Sequence, residues 1–420
     1  MARDSEPQRS TRQRLRRRLR TDVASIPEKK TMQYLKCTDV APRLATMVFA
    51  LLLLAPPAFS QVPFPADSTV QAMLQQLVDN HGIRGIVVGL LDEAGTRRVF
   101  AHGNSGRNAL SLDGESVFEI GSMTKVFTGI LLADMVQRGE VELADPVADL
   151  LPPHVHVPSR NGKVITLLDL TTHFSGLPFM PTNLAPSNRG PFADYTVSHL
   201  YEFMSRYELP RDPGDTFEYS NVAIGLLGHA LSRRAGTTYE ALVSDRILRR
   251  LGMTHTAVTF TPWMKGHLVQ GHNRAGRPME NWDFPALPGM GALRSTMNDM
   301  LTFAAANLLP KDTDLTLSIR NSHRGLRQIG EGVEYPGIPS AFKQARVGFN
   351  WFISRPGERR IAWTVGLTAG CSTFLGLDLE ARRAVVVLTN TGLNNVDYVG
   401  FHLLDPTVPL SAARPAEVVR

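Results

Sequence analysis

Phe118-Glu119-Ile120-Gly121-Ser122-Met123-Thr124-Lys125 ends a short apolar run at a glycine and follows it with Ser122, Thr124 and Lys125. It then leads into residues 126–136, whose apolar side chains recur at helical spacing. This pattern predicts a chain entering a helix at its first turn. Ser122 and Lys125 are three apart, so on a helix they share one face. The free N–H groups and positive dipole end of a helix start favour negative charge at Ser122. A serine hydroxyl is a weak nucleophile until a base takes its proton. An amine one turn away can do so if a desolvated, electropositive site lowers its pKa. A helix cap followed by a solvated lysine would carry the same four letters, so the flanking chain has to decide.

Upstream, residues 70–80 have helical periodicity. Residues 85–91 and 96–101 are strand-like runs around Asp92-Glu93-Ala94-Gly95, a hairpin signal. Downstream, residues 195–207, 222–235, 239–251 and 297–309 read as helices, and residues 310–345 as an unassigned lid or insertion. The end of the chain returns to β-rich runs at 347–354, 361–365, 372–378 and 384–389, closed by a short helix at 398–404. Strands at both ends around a helical middle predict an α+β fold. Its antiparallel sheet is built from both chain ends and flanked by helices, with a mostly helical lobe inserted at roughly 121–340.

The chain has 420 residues, of which 43% are hydrophobic and 20% charged, a composition with ample core. Its formal charge of +6 comes from the leader: residues 1–60 hold 12 Lys+Arg against 5 Asp+Glu, which leaves the remainder at −1. Such a body has no basic footprint for nucleic acid. Arg43, the apolar run 47–55 and the small-x-small site Ala58-Phe59-Ser60 predict a secretory signal cleaved before Gln61. The run is too short to be a good membrane span and is soon broken by Pro56-Pro57, so no stable span is expected after cleavage. The chain thus divides into a basic arm and signal at 1–60, a main globular domain at 61–405 and a tail at 406–420. The expected location is periplasmic or secreted. Cys37 precedes the cleavage site, which leaves Cys371 alone in the mature chain with no internal disulfide possible.

Three elements stand in a telling order. Ser122-Met123-Thr124-Lys125 is followed by Tyr219-Ser220-Asn221, and later by the Gly-rich strand junction Thr364-Val365-Gly366-Leu367-Thr368-Ala369-Gly370. The order resembles the penicillin-recognising serine hydrolases, which carry Ser-x-x-Lys, then Tyr-x-Asn, then Lys-Thr-Gly or His-x-Gly. The tyrosine form is similar to the class C β-lactamase branch, which also holds D-alanyl-D-alanine carboxypeptidases, D-aminopeptidases and esterases. The likeness runs from about residue 70 to 404. It includes Thr172-His173-Phe174-Ser175-Gly176-Leu177-Pro178 and, within the branch, Asn161-Gly162-Lys163-Val164-Ile165-Thr166, similar to low-molecular-weight peptidoglycan carboxypeptidases.

The resemblance implies a β-lactamase/transpeptidase-like fold and assigns roles. Ser122 is the acylated nucleophile, and Lys125 and Tyr219 share the base work. Asn221 holds Lys125 and donates to the substrate amide. The oxyanion sits between the N–H groups of Ser122 and Leu367, where Gly366 lets the strand approach. The implied substrate is a small molecule or a peptidoglycan-derived amide, with esterase activity or non-hydrolysing penicillin binding as alternatives. Thr364 departs from the pattern, standing where the family carries a lysine or histidine that helps bind a substrate carboxylate. No cofactor is implied. His154 and His156 lack carboxylate or cysteine partners at ligand spacing, so no metal is expected. His173 reads as a turn residue rather than a base, Asp212 and Asp215 as loop caps, and Trp282, Trp351 and Trp363 as core or cleft wall.

Overall fold

The computed structural model describes residues 63–107, 110–185, 190–309, 313–330, 345–356, 359–392 and 396–410. The basic arm, the export signal, its cleavage site, Cys37 and the tail beyond 410 lie outside them.

Helix α1 (Asp67–His81) leads into the hairpin of β1 (Gly85–Leu91) and β2 (Arg97–Gly103). Strand β3 (Val117–Glu119) then enters a tight 3-10 turn, Gly121–Met123, which runs on into α2 (Thr124–Gln137). The helical part continues through the two-residue strands β4 (Ser159–Arg160) and β5 (Lys163–Val164), then α3 (Leu167–Thr171), α4 (Val197–Arg206) and α5 (Asn221–Ala235). Strand β6 (Arg294–Thr296), which pairs with β3, and α6 (Met297–Leu308) follow. The last part holds α7 (Asp314–Ser322), β7 (Arg327–Gln328), β8 (Arg346–Gly348), β9 (Trp351–Ser354), β10 (Ile361–Leu367), β11 (Ser372–Asp378), β12 (Arg383–Thr389) and α8 (Asp397–Leu404).

Eight strands form one antiparallel sheet in the order β2-β1-β12-β11-β10-β9-β8-β7. The strands from the two ends of the sequence meet near one edge of the sheet, where Ile86 of β1 faces Thr389 of β12. Alternation along each strand divides the core. Ala384, Val386 and Leu388 of β12 join the core shared with α2, α5 and α6, whereas Val385 and Val387 join the one shared with α1 and α8. Full burial of such a side chain contributes about 1.5–3 kcal/mol relative to leaving it exposed. The predicted α+β architecture is therefore the one observed.

Four local expectations are corrected. The run 347–354 is two strands, because Phe349 and Asn350 both take positive φ (47° and 67°) and turn the chain back. Tertiary bonds hold that turn: Asn350 N–H donates to the Thr171 carbonyl at 3.2 Å, and Asn350 Nδ2 donates to the Lys125 carbonyl at 3.0 Å. The predicted 239–251 helix is interrupted by a π turn at Ser244–Leu248. The unassigned 310–345 segment contributes α7 and the edge strand β7, while 310–312 and 331–344 lie outside the described residues. Asp212 is an ion-pair partner rather than a cap. It meets Lys163 at 3.2 Å and Arg160 at 3.7 Å, pinning the β4–β5 hairpin to the 210s loop.

Helix α2 is buried from Thr124 to Met135, as expected of a helix that is apolar all round. The β8–β9 turn presses on it at Gly129, where a methyl group would overlap the Phe349 carbonyl oxygen. Gly129→Ala is therefore expected to destabilise the fold by about 1–3 kcal/mol, as overpacking does. Denaturant unfolding checks this, and an unchanged midpoint would show that the turn yields freely.

Candidate active site

Ser122 is set at the start of α2 by a tight turn. Gly121 has φ +52°, and a side chain there would crowd the Leu367 nitrogen and carbonyl oxygen at 2.9 Å. This position requires glycine on both counts. The close approach brings the end of β10 against the turn that carries Ser122. At Gly366 a methyl group would overlap the Ile120 carbonyl, which accepts a hydrogen bond from Thr373 Oγ1 at 3.1 Å. Gly366, Leu367 and the turn that carries Ser122 thus lie together. Ser122 is part-exposed within an otherwise buried stretch.

Lys125 projects from the next turn of the helix and is 2% exposed. Its Nζ donates to Ser122 Oγ at 2.8 Å and to the Met290 carbonyl at 2.6 Å. Close packing brings that carbonyl within reach: Thr128 Oγ1 donates to the Gly289 carbonyl at 2.7 Å, and Gly228 of α5 lies against Gly289. Burial holds the amine well below the ordinary lysine range.

Tyr219 and Asn221 are placed by the start of α5. Ser220 is its N-cap, accepting the Ala223 N–H at 3.0 Å and donating to the Pro178 carbonyl at 2.7 Å. Tyr219 stands just before the cap, with its ring centroid 5.2 Å from Lys125 Nζ. Burial pushes the phenol up to about 12, against the opposing pull of the Ser122 hydroxyl. The two candidate bases are therefore driven apart, the lysine toward neutral amine and the tyrosine toward neutral phenol. A phenolate sustained by a charged lysine, the arrangement a tyrosine base needs, runs against both shifts.

Asn221 differs from expectation. Its Nδ2 donates to Met180 Sδ at 3.7 Å, whereas the Lys125 amine is held by Ser122 and Met290. The reason is that the loop before Met180 docks on the same helix start, with Asn221 N–H donating to the Phe179 carbonyl at 3.0 Å. Thr364 lies two residues before Gly366 on β10, so the two share a face, and it is 3% exposed. Two large apolar side chains near this cluster are exposed: Phe179 at 54%, its ring 6.2 Å from that of Tyr219, and Leu367 at 36%.

Three contributors escape sequence reasoning. The Met290 carbonyl has no sequence signal at all. Glu119, three residues before Ser122, is buried. It accepts the Trp282 N–H at 2.7 Å and lies 3.7 Å from Arg294. Burial raises its carboxyl pKa against the pull of Arg294, the Trp282 N–H and the Thr368 and Asn281 side chains. Glu119 thereby ties strand β3 to the 280s loop and to Arg294 of β6. A lone acid within an apolar run was its signal, since a buried charge needs partners. Arg294, also buried, completes that network, donating to the Val258 and Ala292 carbonyls. Cys371 is buried, and its thiol is pushed up first by burial and then by Glu119, so it is no nucleophile. Trp351 and Trp363 are core residues.

The family model described as Beta-lactamase matches residues 70–400. The D-alanyl-D-alanine-carboxypeptidase/endopeptidase AmpH of Escherichia coli K12 is 28% identical over 359 residues, covering 83% of this chain and 91% of that protein. A beta-lactamase of Pseudomonas fluorescens is 26% identical, covering 79% and 94% respectively. Among solved structures, a beta-lactamase/D-alanine carboxypeptidase from Yersinia pestis superposes with a TM-score of 0.68 at 25% identity, over 82% of this chain and 98% of that one. The family model spans every strand of the sheet from β1 to β12 and every residue of the Ser122–Lys125–Tyr219 cluster, and the chain belongs to the beta-lactamase family of serine hydrolases.

Proposed function

We propose that this chain is an exported serine acyl hydrolase in which Ser122 is acylated by β-lactams or by amides resembling the D-Ala-D-Ala ends of peptidoglycan peptides. One observation carries the reading: the buried Lys125 amine lies 2.8 Å from the Ser122 hydroxyl. A neutral amine there has a lone pair for the serine proton, and burial drives Lys125 toward that neutral form. As Ser122 Oγ bonds to the substrate carbonyl carbon, its proton passes to Lys125. The oxyanion develops between the Ser122 and Leu367 N–H groups. Tyr219, as a phenol, gives a proton to the leaving nitrogen when the C–N bond breaks and is reprotonated from Lys125. A water activated by the same pair then hydrolyses the ester. Asn221 donates to the substrate's amide carbonyl, displacing the thioether of Met180, a weak acceptor. The names of the relatives support the substrate class. The 44–60 segment supports export, with a mature domain beginning near Gln61 and running to about 405. Among the described residues, no helix is long and apolar enough to cross a membrane.

A second reading, esterase, is favoured by Thr364 and the exposed Phe179 and Leu367. Where the family has a cation for the substrate carboxylate, this chain has a buried neutral side chain. A charged hydrogen bond is worth about 1.5–3 kcal/mol, or roughly 10- to 150-fold in binding or rate. A chromogenic cephalosporin offered as free acid and as methyl ester, beside a p-nitrophenyl ester and a D-Ala-D-Ala peptide, tests both readings. Turnover of cephalosporin or peptide supports the first, and turnover confined to the p-nitrophenyl ester supports the second. With Thr364 in place, the free acid is expected to gain nothing over its methyl ester. A preference for the acid of 10-fold or more would mean that another residue supplies the charge. Fluorescent penicillin that labels Ser122 and persists without turnover would identify a penicillin-binding protein instead.

A further inference from the structure

We propose that His173 is a positioning residue for Tyr219, clamping the chain on both sides of the phenol and covering its ring against water. The inference rests on the catalytic reading above. His173 carbonyl accepts the Glu218 N–H at 2.8 Å, and its Nδ1 accepts the Ser220 N–H at 3.1 Å. The residues immediately before and after Tyr219 are thus both bound to one histidine, whose ring stacks on the tyrosine ring at 4.5 Å between centroids and 25° between planes. Phe217 braces the imidazole edge-on at 5.8 Å.

Both attachments depend on the backbone of His173, which has φ +62°. Left-handed backbone is uncommon outside glycine, with asparagine, aspartate and histidine enriched among the exceptions. Glycine or asparagine would make the turn. Only histidine makes the turn, supplies an acceptor for Ser220 and lays an aromatic face on Tyr219. Because Nδ1 accepts a backbone proton, the ring is the neutral Nε2–H tautomer. Burial and the nearby Lys125 both oppose its protonation, holding it at about 3. His173 therefore adds dry surface beside Lys125 without adding charge, and dryness is what keeps the lysine a base.

The test is the rate of Ser122 acylation by an activated ester, measured before steady state across pH. The variant is His173→Asn. Asparagine tolerates the left-handed backbone, and its amide oxygen can take the Ser220 N–H, so the ring alone is lost. Acylation at neutral pH is expected to fall about 10- to 100-fold, as small misplacements of catalytic groups do, with little change in KM. The acid limb of the profile is expected to move to higher pH, because a rehydrated Lys125 holds its proton more tightly. The titratable groups facing this segment are Lys125 and Tyr219, together with Glu218, which is paired with Arg211 in the native protein and untouched by the change. A folded His173→Asn enzyme whose acid limb stays in place would overturn the proposal, since a purely structural histidine changes amplitude alone. Should that variant fail to fold, His173→Phe decides. It keeps a covering ring and must keep the wild-type limb, and a shifted limb would count against the ring's role. Wild type that fails to acylate at Ser122 would sink the catalytic reading itself, a different result from either.

Discussion

Replacing Ser122 with alanine is expected to abolish turnover of every substrate and to remove any covalent adduct. The change deletes one oxygen from a part-exposed position and leaves the packing of α2 intact, so folding should be untouched. Loss of a serine nucleophile typically lowers kcat on the order of 10⁴- to 10⁶-fold, the remainder coming from the oxyanion site and binding. Intact-mass spectrometry after a β-lactam or a fluorophosphonate should add one acyl group to the wild type and none to Ser122→Ala. An adduct that survives in the variant would move the nucleophile elsewhere.

Lys125→Met should separate activity from stability. Methionine is unbranched and close in size, so it can fill the channel toward Met290 without an amine. Loss of a general base costs about 10²- to 10⁴-fold, and the acid limb that reports Lys125 should vanish with it. Stability should behave oppositely. Lys125 titrates near 10.4 in the unfolded chain and well below that when folded. Between those two values the unfolded state binds the extra proton, so stability rises with pH across the window. That contribution is lost as pH falls through the folded value. The variant has no such group, so its stability should rise less with pH than that of wild type. Chemical denaturation at a series of pH values measures the difference, and parallel curves would show that the amine is solvated in the native protein.

The sheet and the helix start that carries Ser122 were legible because their signals are local and periodic. Strands β1, β11 and β12 show as apolar runs bounded by turn residues, and α2 as helical spacing behind Gly121. Tyr219 was legible only through resemblance: its placement depends on Ser220 capping α5, and nothing local shows that the cap sits across from Ser122. The Met290 carbonyl was beyond reach, because a backbone oxygen takes its role from packing around Gly228 and Gly289 rather than from its own side chain. The turn at Phe349-Asn350 was hidden for a related reason. A phenylalanine at positive φ contradicts local preference and persists through bonds from Asn350 to Thr171 and Lys125.

The pairing of β1 with β12 also sets an order of events at birth. Ile86 meets Thr389 only after some 300 intervening residues have been made, and closing a loop of that length costs about 5 kcal/mol of chain entropy before any contact repays it. Strand β1 has the β2 hairpin beside it early, but its other edge stays bare until β12 has been made. The sheet therefore cannot close around β1 until more than 380 residues of chain are present. A message truncated before residue 383 would leave Ser122 and Lys125 already encoded but an apolar strand edge open, and its product should aggregate rather than work at reduced efficiency.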